Sequence, residues 1–290
     1  MPHSLPGHET AASRTSDLLA QALGLLAGSR LAVLTGAGLS TDSGIPDYRG
    51  PTSVPRSPMT YQQFVSDPVL RRRYWARNHV GWRHMHRAAP NAGHFAIAAM
   101  ERRGLLTGLI TQNVDRLHSA AGSRQVIDLH GRFDEVICLD CRRIISRFAL
   151  AERLEALNPG FETGPADAAD VAPDADADVG ATDSFVVADC QACGGMLKPH
   201  FVYFGESVPK DRVEAAYALV DRAGALLVAG TSLTVMSGLR FVRHAAKHGT
   251  PVVIINRGTT RGDELATVKI DTGVSGSLTF LAGALPAPAS

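Results

Sequence analysis

The four cysteines of this chain fall as two Cys-x-x-Cys pairs, Cys138/Cys141 and Cys190/Cys193, with none left over. A Cys-x-x-Cys turn brings two thiolates within reach of one ion, and a second such turn completes a tetrahedron. The pattern calls for one structural Zn2+ that ties two separate stretches into a small module. Four thiolates leave no open coordination position, so this metal serves folding and not chemistry. Four buried free thiols, or a redox dithiol, are the other readings, although a redox motif needs one reactive pair and not two. The gap between the pairs exceeds the ~15–20 residues usual in zinc ribbons. An interval at 163–183 accounts for the excess. It is mostly Ala, Asp, Gly, Pro and Val, with Asp167, Asp170, Asp174, Asp176 and Asp178 close together. Such a composition cannot offset its ordering entropy, so a disordered and dispensable loop is expected there. A calcium loop is the alternative, but its glycine and terminal Glu are missing.

About a hundred residues upstream, the apolar run Leu31-Ala32-Val33-Leu34-Thr35 enters a glycine turn, Gly36-Ala37-Gly38. A strand followed by such a turn offers backbone amides to a phosphate. It is only half of a dinucleotide fingerprint, because Thr41 stands where the third glycine would fall. Around it, helical and extended segments alternate. Thr15-Ser16-Asp17 can cap a helix that Gly28 ends, Asp67-Pro68 opens another, and Pro90-Asn91 a third. Apolar strands read at 109–111, 126–129, 225–229 and 251–255, with a helix over 237–247. Residues 50–62, rich in Pro, Ser and Thr, read as a mobile loop. The expected fold is α/β: a Rossmann-type doubly wound parallel sheet with a smaller zinc-ribbon/helical module inserted. Residues 1–133 and 200–290 would form the nucleotide domain, with a helical insertion at about 51–90, and 134–199 the zinc module.

The bulk composition narrows the partners. Lys+Arg number 29 against 28 Asp+Glu, for a net charge of +1. That balance makes no electrostatic case for nucleic acid or an anionic membrane. No apolar run approaches the ~20 residues that span a bilayer, and residues 1–14 lack a secretory pattern. Thiols grouped as metal ligands then point to the cytoplasm.

The glycine turn continues as Ser40-Thr41-Asp42-Ser43-Gly44-Ile45-Pro46-Asp47-Tyr48-Arg49-Gly50. This run resembles the sirtuin signature. Four further segments match the same family in order: Thr111-Gln112-Asn113-Val114-Asp115-Arg116-Leu117-His118, Leu129-His130-Gly131, Phe204-Gly205-Glu206 and Gly230-Thr231-Ser232-Leu233. The flank Tyr74-Trp75-Ala76-Arg77-Asn78 is most similar to the class II branch. The resemblance spans about 15–280. It implies an enzyme that cleaves the nicotinamide–ribose bond of NAD and passes ADP-ribose to the amide oxygen of an acylated lysine. The products would be nicotinamide, free lysine and O-acyl-ADP-ribose.

Carried over residue by residue, the resemblance assigns the diphosphate to the turn Gly36, Ala37, Gly38 and Ser40, helped by the next helix N-terminus. Ile45, Asp47, Asn113 and Asp115 would surround the nicotinamide. Arg49 would lie beside phosphate and ribose, and Gln112 on the nicotinamide-side ribose. Gly230, Thr231, Ser232 and Asn256 would meet phosphate and the adenine-side ribose. His130 would be the general base on a ribose hydroxyl, since an imidazole near neutral pKa suits that task. Val202, Phe204, Gly205 and Glu206 would hold the acyl-lysine peptide as an added strand opposite residues near 235–238. Phe201 stands where the family commonly has Val. Tyr74 and Arg77, three apart on a helix, would converge on an acidic acyl group, a non-acetyl substrate being what the class II resemblance implies; equally, Tyr74 can be core and Arg77 solvated. Protein mono-ADP-ribosyl transfer shares the first step and is the nearest alternative. A dehydrogenase and a non-catalytic NAD or zinc scaffold fit less well. The partners expected are acylated lysines of proteins, with the enzyme a monomer.

Overall fold

The computed structural model describes residues 11–49, 57–161, 173–174 and 182–287. Alternation of strands, buried at the centre and half-buried at the β3 edge, with helices produces a six-stranded parallel sheet in the order β3-β2-β1-β7-β8-β9. Its strands are β1 (Leu31–Thr35), β2 (Leu106–Thr111), β3 (Val126–Asp128), β7 (Ala225–Ala229), β8 (Val252–Ile255) and β9 (Val268–Ile270). Every residue of β1 is buried, as a strand covered on both faces requires. Its side chains divide by parity: Leu31 and Val33 enter one core, Ala32 and Leu34 the other. Helices α1 (Ala11–Leu26), α4 (Ala92–Arg102) and α9 (Val274–Ala284) cover the first face. Helices α7 (Lys210–Asp221) and α8 (Met236–Lys247) cover the second.

A separate three-stranded antiparallel sheet, β5-β4-β6, comprises β4 (Gly131–Cys138), β5 (Ile144–Ser146) and β6 (Leu197–Phe201). Helices α2 (Tyr61–Ser66), α3 (Pro68–Arg87) and α6 (Arg147–Leu157) pack on it. Their shared core is aromatic, with Phe64, Tyr74, Trp75 and Trp82 meeting Phe133 and Phe201. A short helix, α5 (Leu117–Ala120), follows the Asn113–Asp115 segment.

Local chemistry sets the helix starts. Asp67 accepts from the amides of Val69 and Leu70 with Pro68 at the first position of α3, and Asn91 closes a capping box with His94 on α4. The expected cap at Thr15-Ser16-Asp17 is different. Helix α1 already runs through those residues, and the Ser16 hydroxyl donates back to Ala12 O at 3.1 Å. The interval expected to be disordered lies outside the described residues apart from Pro173, Asp174, Thr182 and Asp183. Asp174 is buried. Among the described residues no helix is long and apolar enough to cross a membrane.

Candidate active site and metal centre

The sheet reverses its strand order between β1 and β7, since the chain runs outward to β2 and β3 on one side and to β8 and β9 on the other. Such a switch point opens a crevice at the carboxyl ends of the strands. Here it holds a cleft of about 940 Å³. The turn after β1 packs against the turn after β7 at distances that exclude side chains. A Cβ on Gly36 would sit 2.7 Å from Thr231 Cβ, and one on Gly230 (φ +67°) would sit 2.4 Å from Leu39 N. Gly38 N donates to Gly230 O at 2.9 Å. The next elements are two three-residue 3-10 turns, Ala37–Leu39 and Thr41–Ser43. The expected helix N-terminus behind the phosphate turn is therefore replaced by tighter turns, and a third glycine has no role there.

Below this turn lies a buried polar knot. Asn113 Nδ2 donates to Gly36 O (3.1 Å) and to Ser40 Oγ (3.0 Å). Ser40 Oγ donates to Asp115 Oδ2 at 2.6 Å, and Asp115 Oδ1 accepts from Leu117 N, the first amide of α5, at 2.9 Å. Burial raises the Asp115 carboxyl pKa, while the Ser40 and Leu117 hydrogen bonds oppose the shift. Gln112 Nε2 reaches Thr231 Oγ1 at 3.0 Å and so joins the ends of β2 and β7.

His130 follows β3 and precedes Gly131, where φ is +88° and a Cβ would lie 2.3 Å from His200 O. Its carbonyl accepts from Val202 N at 2.7 Å, and its Nε2 lies 2.8 Å from Ser237 Oγ. Burial pushes its pKa down to about 4, a hydrogen bond to the Gln112 backbone opposes this, and the Arg212 charge adds to it. The ring is thus neutral near pH 7 and can accept a proton, but it is a weaker base than the near-neutral imidazole expected from the sequence.

The cleft collects Gly36, Ala37, Gly38, Ser40, Ile45, Asp47, Arg49, Gln112, Asn113, Asp115 and His130. It also takes in Val202, Phe204, Gly205, Glu206, Gly230, Thr231, Ser232 and Asn256. Phe201 lines it too. Tyr74 and Arg77 do not. Tyr74 is 1% exposed and packs edge-on against Phe64 (5.5 Å) and Tyr203 (5.4 Å). Positions three apart do share a helix face, but this face looks into the aromatic core. Sequence reasoning set residues near 235–238 at the peptide edge but did not pair Ser237 with His130, a contact that only the tertiary fold makes. It also missed Pro173 and Asp174, which line the cleft although they belong to the stretch read as dispensable.

The cysteines converge at the tip of the small sheet. All four sulfurs lie within 4.8 Å of one another, with Cys138–Cys193 at 3.6 Å and Cys141–Cys190 at 3.8 Å. A tetrahedron of Zn–S bonds of ~2.3 Å has edges of about 3.8 Å, so the sulfurs already stand at the spacing a zinc ion needs. Both knuckles turn alike. The fourth residue after each leading cysteine is left-handed, Arg142 (φ 62°) and Gly194 (φ 73°), and donates its amide back to that cysteine's carbonyl.

Residues 36–237 match the model of the Sir2 family. NAD-dependent protein deacetylase 1 of Mycobacterium avium is 65% identical over 263 residues, covering 90% of this chain and 93% of that protein. NAD-dependent protein deacetylase 1 of Streptomyces coelicolor is 55% identical, covering 93% and 91%. Among solved structures, Sir2 bound to an acetylated peptide superposes with a TM-score of 0.73 at 30% identity, covering 91% of this chain and 97% of that one. A Sir2 structure bound to a propionylated peptide gives 0.72 at 30% identity. With its glycine turns, its histidine at the cleft and its four-thiolate cluster, the chain belongs to the Sir2 family.

Proposed function

We propose that this protein is an NAD-dependent protein-lysine deacylase carrying one structural Zn2+. The observation that carries the reading is His130, neutral and pinned at the junction of two half-clefts. One half is the glycine-lined crevice between β1 and β7; the other is bounded by Val202–Glu206 and the start of α8. NAD supplies the ribose carbon and the nicotinamide leaving group. The protein's part is positional and electrostatic. The Gly36–Ser40 and Gly230–Ser232 turns, closely packed through the glycines at 36, 38 and 230, admit diphosphate to backbone amides. The Asn113–Ser40–Asp115 knot holds the nicotinamide side of the cleft rigid, and Gln112 joins the strand ends beside it. His130 Nε2, once Ser237 yields it, accepts a proton from a ribose hydroxyl. The deacetylase names of the relatives favour lysine deacylation over ADP-ribosyl transfer onto protein.

Finer parts of the reading are that the protein acts as a monomer in the cytoplasm and falls in the class II branch, for which the Tyr74–Asn78 wording is the support. The deciding experiment incubates the purified protein with NAD and acetyl-, glutaryl- and lipoyl-lysine peptides and follows products by mass spectrometry. Free lysine with O-acyl-ADP-ribose supports the proposal; label from NAD retained on protein, with no deacylated peptide, overturns it. The same panel with Arg77→Met asks whether that guanidinium selects an acidic acyl group. Because Arg77 stands off the cleft wall, the expected result is an unchanged order of preference.

A further inference from the structure

The segment from Phe201 to Glu206 forms one wall of the peptide half of the cleft, and it arches. Val202 N donates to His130 O, Glu206 N donates to Tyr203 O at 3.0 Å, and Gly205 at the bend is left-handed (φ +79°). Beneath the arch lies Lys198 on β6, only 3% exposed. Its ammonium donates to Glu206 Oε2 (3.1 Å), to Pro199 O (3.1 Å) and to Phe201 O. The three protons of the ammonium are thereby all spent. It also lies 4.7 Å over the Tyr203 ring. Glu206 Oε2 in turn accepts from Tyr203 N at 2.9 Å.

One cation therefore grips both feet of the arch. It holds Phe201 O, one residue before Val202, and the Glu206 carboxylate that closes the other end. A buried ion pair is a poor source of stability, since desolvation offsets its attraction and apolar replacements often do as well. What such a pair supplies is geometry. We infer that Lys198 is a positioning residue for the acyl-lysine peptide: it does not touch substrate but sets the shape of the Val202–Glu206 edge that does. The inference rests on the deacylase reading. It also gives the zinc module a path to the substrate, because β6 begins at Leu197, four residues after Cys193, and Lys198 is its second residue.

The test compares wild type with Lys198→Met, Lys198→Arg and Lys198→Met/Glu206→Gln. Its readouts are KM for an acetyl-lysine peptide and for NAD, zinc per chain, and binding of a fluorescent acetyl-lysine peptide by anisotropy. Lys198→Met is expected to weaken the peptide about tenfold in KM and in binding, with KM for NAD within about twofold. Zinc should stay near one per chain. Lys198→Arg should recover most of the loss, and the double variant should be no worse than Lys198→Met alone, because coupled residues are not additive. Peptide affinity within about twofold of wild type in Lys198→Met would overturn the inference. So would a parallel rise in both KM values with zinc lost, or additive effects in the double variant. Should Lys198→Met not fold, Lys198→Gln, which can still reach one carbonyl, carries the same expectations. Wild type that binds peptide but releases no acyl group refutes the deacylase reading alone, and the anisotropy series still judges Lys198.

Discussion

His130 shows what a single side chain needs from its surroundings to act as a base. Burial pushes it down to about 4, so the ring stays unprotonated from pH 7 well into the acid range. The acid limb of kcat/KM, which reports the free enzyme, should then have its midpoint below the ordinary imidazole value of about 6.5. A midpoint at or above that value contradicts the assignment. His130→Ala should lower deacylation by about 10²-fold or more, with NAD affinity, measured calorimetrically, changed far less. Asn113→Ala removes two hydrogen bonds, to Gly36 O and Ser40 Oγ, and leaves buried acceptors behind. Each unmet buried group costs about 1–3 kcal/mol, so a drop of roughly 10–100-fold in kcat/KM for NAD is expected, with the fold intact by circular dichroism.

Among the elements, the two cysteine knuckles and the helix caps were the most legible. Local spacing decides both. A Cys-x-x-Cys turn needs only its own backbone, and Asp67-Pro68 and Asn91 announce α3 and α4 by satisfying the first amides. Cys138→Ser should release zinc and lower Tm, because metal binding to a site absent from the unfolded chain is folding free energy. Full metal content by atomic absorption in that variant would refute a four-thiolate site. The short strands β4, β5, β6 and β9 escaped sequence reading. In β9 a single Lys269 between Val268 and Ile270 gives too little pattern to mark a strand. Arg142, left-handed in its knuckle, carries no sequence mark either, whereas its counterpart Gly194 does.

At the scale of the whole molecule, three histidines among the described residues besides His130 are buried and neutral: His79, His94 and His118. His118 Nε2 lies 2.9 Å from Thr35 Oγ1 under the sheet, and its ring is 4.8 Å from His94. Burial pushes His79 and His94 down to about 4 and His118 well below its usual value. Between those values and about 6.5 the unfolded chain binds more protons than the folded one, so stability is full above pH 6.5 and falls as pH drops toward 4. Each group adds a slope of up to about 1.4 kcal/mol per pH unit. Denaturant midpoints at pH 7.5, 6.0 and 5.0 should therefore fall with steepening slope. A flat series would mean that these rings are protonated in the native state or rehydrated.

Sequence alone determined the α/β class, the four-thiolate site and about half of the residues that line the cleft, because each rests on spacing within a few neighbours or on motifs kept in family order. Tertiary structure alone decided the rest. It turned Tyr74 into the aromatic core, brought Ser237 to His130 across 107 residues, put Asp174 on the cleft wall and set Lys198 under the peptide edge. A helical spacing says which side chains share a face and not what that face meets. A buried polar partner is chosen by the desolvation that close packing imposes, and that packing exists only once β6, α3 and α8 have come together.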